Sequence, residues 1–299
     1  MIKSLVSIIK FVTQHPLNDN RRLMALANFF VWQLKMRILG GKFVVNWVDK
    51  ARFIVKRGET GLTGNLYCGL MEYQDMAFAL HYLRDSDEFY DIGANVGAYT
   101  ILASAVVGCR SHVFEPLPNT FERLNEQIAI NRMEELVFAH NIGIGSKADT
   151  LEFTNYLNCM NHVNTDPTIT DVTKVAIASL DELYNPELNS LVKIDVEGYE
   201  NFVFEGGEIF FSNLNVSGLI VELNGSGKQF TISDADIDSR IREFGFFPIA
   251  YNPVSREVTL IHSFNTKGNT IYVKDVAAVR ERCRTANKVL VHTAAQYQL

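Results

Sequence analysis

From Glu88 to Phe244 the chain repeats one phrase: a short apolar run, a turn, then a segment with helical spacing. The runs Glu88–Ile92, Ser111–Phe114, Leu136–Asn141, Leu191–Asp195 and Ser217–Leu223 read as strands, being short, rich in aliphatics or aromatics and bounded by turn residues. Between them Gly97–Val107, Asn119–Asn131, Asn201–Phe211 and Ser233–Phe244 read as helices, the last ended by Gly245. Strands alternating with helices predict a mainly parallel, doubly wound Rossmann-like α/β sheet with helices on both faces. In such sheets ligands bind at the carboxyl ends of the strands, near the point where strand order reverses. The ends carry Asp91, Glu115, Asn141, Asp195 and Glu222.

The rest of the chain is read around this core. The spans Phe43–Trp47 and Arg52–Val55 are β-type, with turns at Gly58, Gly61, Gly64 and Gly69, and a helix is predicted over Glu72–Arg84. Asn119 with Glu122, and Ser179 with Glu182, have the spacing of helix capping pairs. A polar insertion follows the third strand to about residue 172. Phe247–Tyr251 and Asn269–Val273 suggest a late hairpin arm, and a basic helix is predicted from about 276 to 290. The expected division is a basic N-terminal extension over 1–57, a catalytic body over 58–275 and a C-terminal helix and tail over 276–299.

Charge is distributed unevenly. Residues 1–57 hold 11 Lys/Arg and 2 Asp/Glu, or +9, and the remainder holds 17 against 32, or −15. The segment Leu23–Leu39 is apolar on nearly every side, between Arg21-Arg22 and Lys35/Arg37. A helix apolar all round is normally buried, which is the expectation here; the competing reading is a peripheral contact with an anionic membrane. The 18-residue uncharged run Ile92–Cys109 opens with turn residues, so it is read as a turn and helix rather than a span. The four cysteines form no Cys-x-x-Cys pair and suit a reducing compartment. The expected location is the cytoplasm, with the inner face of a membrane as the peripheral alternative. An acidic body argues against nucleic acid as a partner.

Two strand ends are specific about chemistry. In Asp91-Ile-Gly-Ala-Asn-Val-Gly97 the glycines permit a tight turn and a close helix start, but the spacing is not Gly-x-Gly-x-x-Gly. An acid before the turn repels a diphosphate and welcomes a cationic group. The second end is Phe114-Glu115-Pro116, with Glu115 18 residues beyond Gly97, the interval at which doubly wound folds grip the ribose hydroxyls of an adenosine. Pro116 ends the strand and fixes the exit of that carboxylate. The bland alternatives are a turn-capping Asp91 and a surface Glu115.

These motifs, followed by Ser179-Leu-Asp-Glu-Leu183 and Val192-Lys-Ile-Asp-Val-Glu-Gly198-Tyr-Glu200 in that order, resemble the FkbM family of S-adenosylmethionine-dependent methyltransferases. Gly64-Asn-Leu-Tyr67 and Gly69-Leu-Met-Glu72 also resemble the family's approach to its first motif. The resemblance spans roughly residues 58 to 225 and implies a class I methyltransferase sheet. It also implies S-adenosylmethionine as cofactor, S-adenosylhomocysteine as product, and O-methylation of a glycan, sugar or polyketide-type acceptor. Asp91, Gly93, Asn95, Gly97, Glu115 and Pro116 are then the cofactor-binding candidates, with Glu72. Asn141, Ile142 and Gly143 at the third strand end border the adenine.

The fourth strand end supplies the catalytic candidates. In an extended strand Lys193, Asp195 and Glu197 share a face. A hydroxyl is a poor nucleophile until a base takes its proton, and Asp195 or Glu197 is expected to be that base. His162 is a third candidate, from an insertion that also holds Tyr156, Cys159, Met160 and Asn164. Lys193 is alternatively an ion-pair partner of Asp195, and Glu200 is expected to complement a helix dipole. Asp195, Glu197 and Glu222 have the chemistry of an oxygen cage, but the spacing demands no metal and none is expected. The competing functions are a nicotinamide-dependent oxidoreductase and a non-catalytic S-adenosylmethionine-binding protein. A homo-oligomer is compatible with the sequence.

Overall fold

The computed structural model describes residues 2–56, 62–154, 161–166, 168–266, 268–293 and 296–299. The chain opens with helix α1 (Ile2–Gln14), a 3-10 turn and helix α2 (Arg22–Ile38). Strands β1 (Lys42–Asn46) and β2 (Arg52–Lys56) form an antiparallel hairpin, and helices α3 (Thr63–Cys68) and α4 (Tyr73–Tyr82) follow. The alternating core begins at β3 (Glu88–Ile92). It continues through α5 (Ala98–Thr100, prolonged by π-helical turns over Ile101–Val107), β4 (Arg110–Phe114), α6 (Pro118–Asn131) and β5 (Val137–His140).

The polar insertion forms a small sheet of its own, β6 (Gly143–Ile144), β7 (Asp149–Thr154) and β8 (Val172–Ala178), in the order β6-β8-β7. The core resumes with α7 (Leu180–Leu183), β9 (Ser190–Ile194), α8 (Glu200–Glu205), α9 (Glu208–Ser212), β10 (Val216–Leu223) and α10 (Asp234–Glu243). It closes with β11 (Phe247–Asn252), β12 (Glu257–Leu260), β13 (Gly268–Val273), α11 (Val276–Thr285), β14 (Leu290–His292) and β15 (Gln296–Gln298).

The main sheet has the order β12-β11-β13-β10-β9-β3-β4-β5. Strands β5, β4, β3, β9 and β10 run parallel, and β13 lies antiparallel between β10 and β11. This is the expected doubly wound sheet. The order reverses between β3 and β9, so the switch point falls where Asp91 and Asp195 leave the sheet. The central strands are buried on both faces, as parallel strands with helices on each side must be. Period-two alternation divides them between two cores: Phe89 and Leu191 enter one, Tyr90 and Val192 the other.

Several local expectations are corrected. Helix α6 begins one residue before Asn119, with Pro118 in its first turn and no side-chain cap, so Asn119 and Glu122 are not a capping pair. A proline there sacrifices no hydrogen bond, because the first amides of a helix lack internal partners. Ser179 precedes α7 without capping it; instead the Asp181 carboxylate accepts from the amides of Ile209 (3.1 Å) and Phe210 (2.8 Å), capping α9. A reciprocal box occurs at α10, between Ser233 and Asp236. The late strands β11 and β13 do pair, but β13 inserts beside β10, and the hairpin partner of β11 is β12. The C-terminal helix ends at Thr285, and after four residues β14 begins at Leu290 and bridges Val48 through Val291. Gly58 and Gly61 lie outside the described residues.

Helix α2 is not buried on all sides. Ala25, Phe29 and Met36 face the body, whereas Leu23, Phe30, Val31, Leu34 and Ile38 stand in solvent. Among the described residues no helix is long and apolar enough to cross a membrane.

Candidate active site

A cavity of about 300 Å³ opens at the switch point, between the carboxyl ends of β3, β4, β9 and β10. Its first wall comes from the β3 and β4 ends. Asp91 is 2% exposed, and its Oδ2 accepts from the Thr100 amide (3.1 Å) and hydroxyl (2.6 Å). It therefore does cap the following helix, while also lining the cavity. Burial, with a contribution from Asp195, raises its carboxyl to about 6.

Glu115 is held more firmly. Its two oxygens accept one backbone amide each, from Asn95 and Leu117, both at 2.9 Å. Burial pushes it up to about 7 against those two bonds. Asn95 adopts a left-handed φ of 52°, which turns its amide toward Glu115. The next strand end straps this arrangement from behind: Asn141 Nδ2 donates to the carbonyls of Glu115 (2.8 Å) and Pro116 (2.9 Å). Gly143 and Pro116 line the cavity; Ile142 packs against the neighbouring core instead, and Asn141 acts through Glu115.

Gly93 has a reason that the sequence did not show. A Cβ on it would lie 1.9 Å from the carbonyl oxygen of Asp195, so its bare backbone (φ +82°) lets the β3 and β9 loops touch. Gly97 (φ +81°) is held by α6, where a Cβ would meet Leu124 at 2.5 Å.

The opposite wall is a charge cluster. Lys193, 2% exposed, donates to Asp195 Oδ2 and Asn269 Oδ1, both at 3.1 Å. Desolvation alone lowers its ammonium, but Asp195, Glu72 and Glu222 outweigh this and hold it charged. Strand β9 stops at Ile194, so Asp195 and Glu197 share the cavity through the loop rather than through strand alternation. Glu197 takes a left-handed φ of 51°. Carboxylate oxygens of Asp195, Glu197 and Glu222 lie within 4.8 Å of one another. Burial of Asp195 opposes its ionisation, but Lys193 and a hydrogen bond with Glu222 win and keep it below the usual range. Burial, then the Asp195 charge, pushes Glu222 far up, so the pair shares one proton, seated on Glu222. Burial and Asp195 raise Glu197 to about 7.

Glu72 also lines the cavity; it accepts from the Tyr99 hydroxyl, and from Asn269 Nδ2 at 2.7 Å. Asn269 bonds Asp75 as well (3.2 Å), and burial raises Asp75 to about 7. Glu200 opens α8, as a dipole partner should, but is 2% exposed and accepts from the Gly198 amide at 3.0 Å.

His162 is not among the cavity-lining residues; its neighbour Asn161 is. Tyr156, Cys159 and Met160 lie outside the described residues. The sequence reading assigns no role to Tyr99, Asn269 or Asp75, and names Glu222 as a strand end and a member of a candidate oxygen cage. Asn269 enters because β13 pairs with β10, setting Asn269 opposite Glu222.

A family model for the methyltransferase FkbM domain matches residues 91–248. No curated protein matches the chain. Solved structures with a similar course include a precorrin-6y C5,15-methyltransferase of Geobacter metallireducens, 11% identical, covering 74% of this chain and 93% of that one at a TM-score of 0.40. An rRNA methylase of Streptococcus thermophilus is 11% identical, covering 67% and 93% at 0.39. The O-methyltransferase TomG of Streptomyces achromogenes, solved with S-adenosylmethionine, is 16% identical, covering 68% and 80% at 0.37.

Proposed function

The chain belongs to the FkbM methyltransferase family, and on that footing we propose that it methylates a hydroxyl oxygen of a sugar, glycan or polyketide-type small molecule. Its cofactor is S-adenosylmethionine, which supplies an electrophilic methyl group on a sulfonium. The residues present suit that cofactor. Glu115 is locked by two amides and, once ionised, has lone pairs left for two ribose hydroxyls. Asp91, Asn95 and Gly143 line the same wall, and Asp91 with Glu72 makes it favourable for a cationic amino-acid end. In this reading residues 58–275 are the catalytic body.

The observation that carries the reading is that one cavity joins this wall to the Lys193–Asp195–Glu197–Glu222 cluster. Glu197 is the proposed base. Its carboxyl, raised to about 7, is a stronger proton acceptor than Asp195, which Lys193 holds low. The acceptor hydroxyl would donate its one hydrogen bond to Glu197, while the protonated Glu222, bonded to Asp195, keeps the neighbouring negative charge low. Glu197 would take the hydroxyl proton as the oxygen gains the methyl group that S-adenosylmethionine would supply, leaving S-adenosylhomocysteine. Positioning the acceptor beside the cofactor wall would be the cavity's other contribution, since proximity alone accelerates such steps greatly. Lys193 keeps the cluster from accumulating repulsive negative charge.

The test is calorimetric titration with S-adenosylmethionine, with NADH as the comparison, followed by transfer of labelled methyl to a panel of sugars and polyketide alcohols. Binding of S-adenosylmethionine alone with label on oxygen supports the reading. Binding without transfer to any hydroxyl compound favours the non-catalytic alternative, and binding of NADH alone overturns it.

A further inference from the structure

The exposed side of α2 is not a random scatter of apolar residues. Leu23, Phe30, Val31, Leu34 and Ile38 fall at intervals of three, four and seven, so they form one stripe along the helix. That stripe lies opposite the face through which Ala25, Phe29 and Met36 hold α2 to the body. Its members stand well out: Leu23 is 84% exposed, Ile38 69% and Phe30 52%. Helix α1, packed beside α2, adds exposed Val6 and Phe11. A patch of this kind needs an occupant.

Charge identifies the occupant. Residues 20–48 contain no acid. Exposed Arg21 and Arg22 open α2 and exposed Arg37 closes it, with Arg22 beside Asp19. Lys35 is laid over the rings of Trp32 (4.4 Å) and Phe43 (4.7 Å). Long basic side chains at the ends of an apolar stripe suit the headgroup level of an anionic bilayer, with the stripe in the acyl boundary. A second copy of the chain is a poor fit, because stripe-to-stripe contact sets one basic extension against another.

We propose that α2, with α1 beside it, is a docking face for an anionic membrane surface. The full chain is centrifuged with phosphatidylcholine vesicles, with or without phosphatidylglycerol, at low and high salt. It pellets with the anionic vesicles, about tenfold less with neutral ones, and is released by salt. A Phe30→Asp, Leu34→Asp double variant loses anionic pelleting about tenfold while keeping its melting temperature, because both side chains are exposed. Wild-type chain staying in the supernatant overturns the proposal, as does a double variant that pellets equally well. A lipid-free dimer in analytical ultracentrifugation that the double variant abolishes overturns it in favour of self-association.

Discussion

Glu115 shows how a single side chain can be fixed without being used up. Two amides hold its orientation at 2.9 Å, and its remaining lone pairs face the cavity. Glu115→Gln must set an NH2 group against one of those amides and loses an acceptor for ribose. S-adenosylmethionine affinity is expected to fall at least tenfold, about 1.4 kcal/mol, by calorimetry. Glu197 makes a different prediction. A base must be ionised to act, and its carboxyl sits at about 7. The wild-type turnover number should therefore rise with pH through that value and level off. Glu197→Gln is expected to lower it by about 100-fold or more and remove that limb, with cofactor affinity unchanged. A persisting limb assigns the proton to another group. Asp91 and Glu115 were readable in the sequence because each closes a strand beside a turn residue. The sequence groups Glu222 with Asp195 only as a candidate oxygen cage, not as the partner with which it shares a proton. The two meet because β10 lies beside β9, with Val221 opposite Ile194, and a linear motif does not report that pairing.

At the scale of elements, strands were easier to read than helix ends. Each central strand is an apolar run bounded by polar residues, whereas a capping pattern describes only what a side chain could do. Ser179 had the right spacing, but Asp181 took the capping work for α9, a helix about thirty residues further on. Asp181→Ala should remove both bonds and lower unfolding stability by about 0.5–2 kcal/mol, measured by denaturant titration. An unchanged midpoint means that water replaces the carboxylate at no cost. Strand β8 is harder to read because it begins where the polar insertion ends and is held as a strand by pairing with β6 and β7. Helix α2 departs from the expectation of full burial for a related reason: apolar residues on opposite faces signal two contacts, and the body supplies only one.

For the whole molecule, the distinctive quantity is the number of carboxyls buried around the switch point. Asp75, Asp91, Glu115 and Glu200 are all raised, to between about 6 and about 7, chiefly by desolvation. A carboxyl raised on folding contributes most at low pH, and that contribution is lost as pH rises through its folded value. Buried His81, held down to about 4, works in the opposite sense, because folding then resists its protonation as pH falls. The difference between wild type and Glu200→Gln isolates one group. Relative to wild type, the variant's melting temperature should climb as pH rises from about 4.5 and level off above about 8. A pH-independent difference shows that Glu200 titrates as it does in the unfolded chain.

The N-terminal helices have one consequence beyond stability. Phe29 of α2 meets the Tyr67 ring of α3 at 4.9 Å, and Gln33 bonds the Tyr67 hydroxyl at 2.9 Å. Asn65, on the same short helix, accepts from the Met71 amide at 2.7 Å, and Met71 and Glu72 form part of the cavity lining. The outer stripe is thus linked to the chamber through α2, α3 and the Met71–Glu72 segment. A partner gripping the outer face of α2 would therefore bear on α3 and, through Asn65, on the Met71–Glu72 part of the cavity wall.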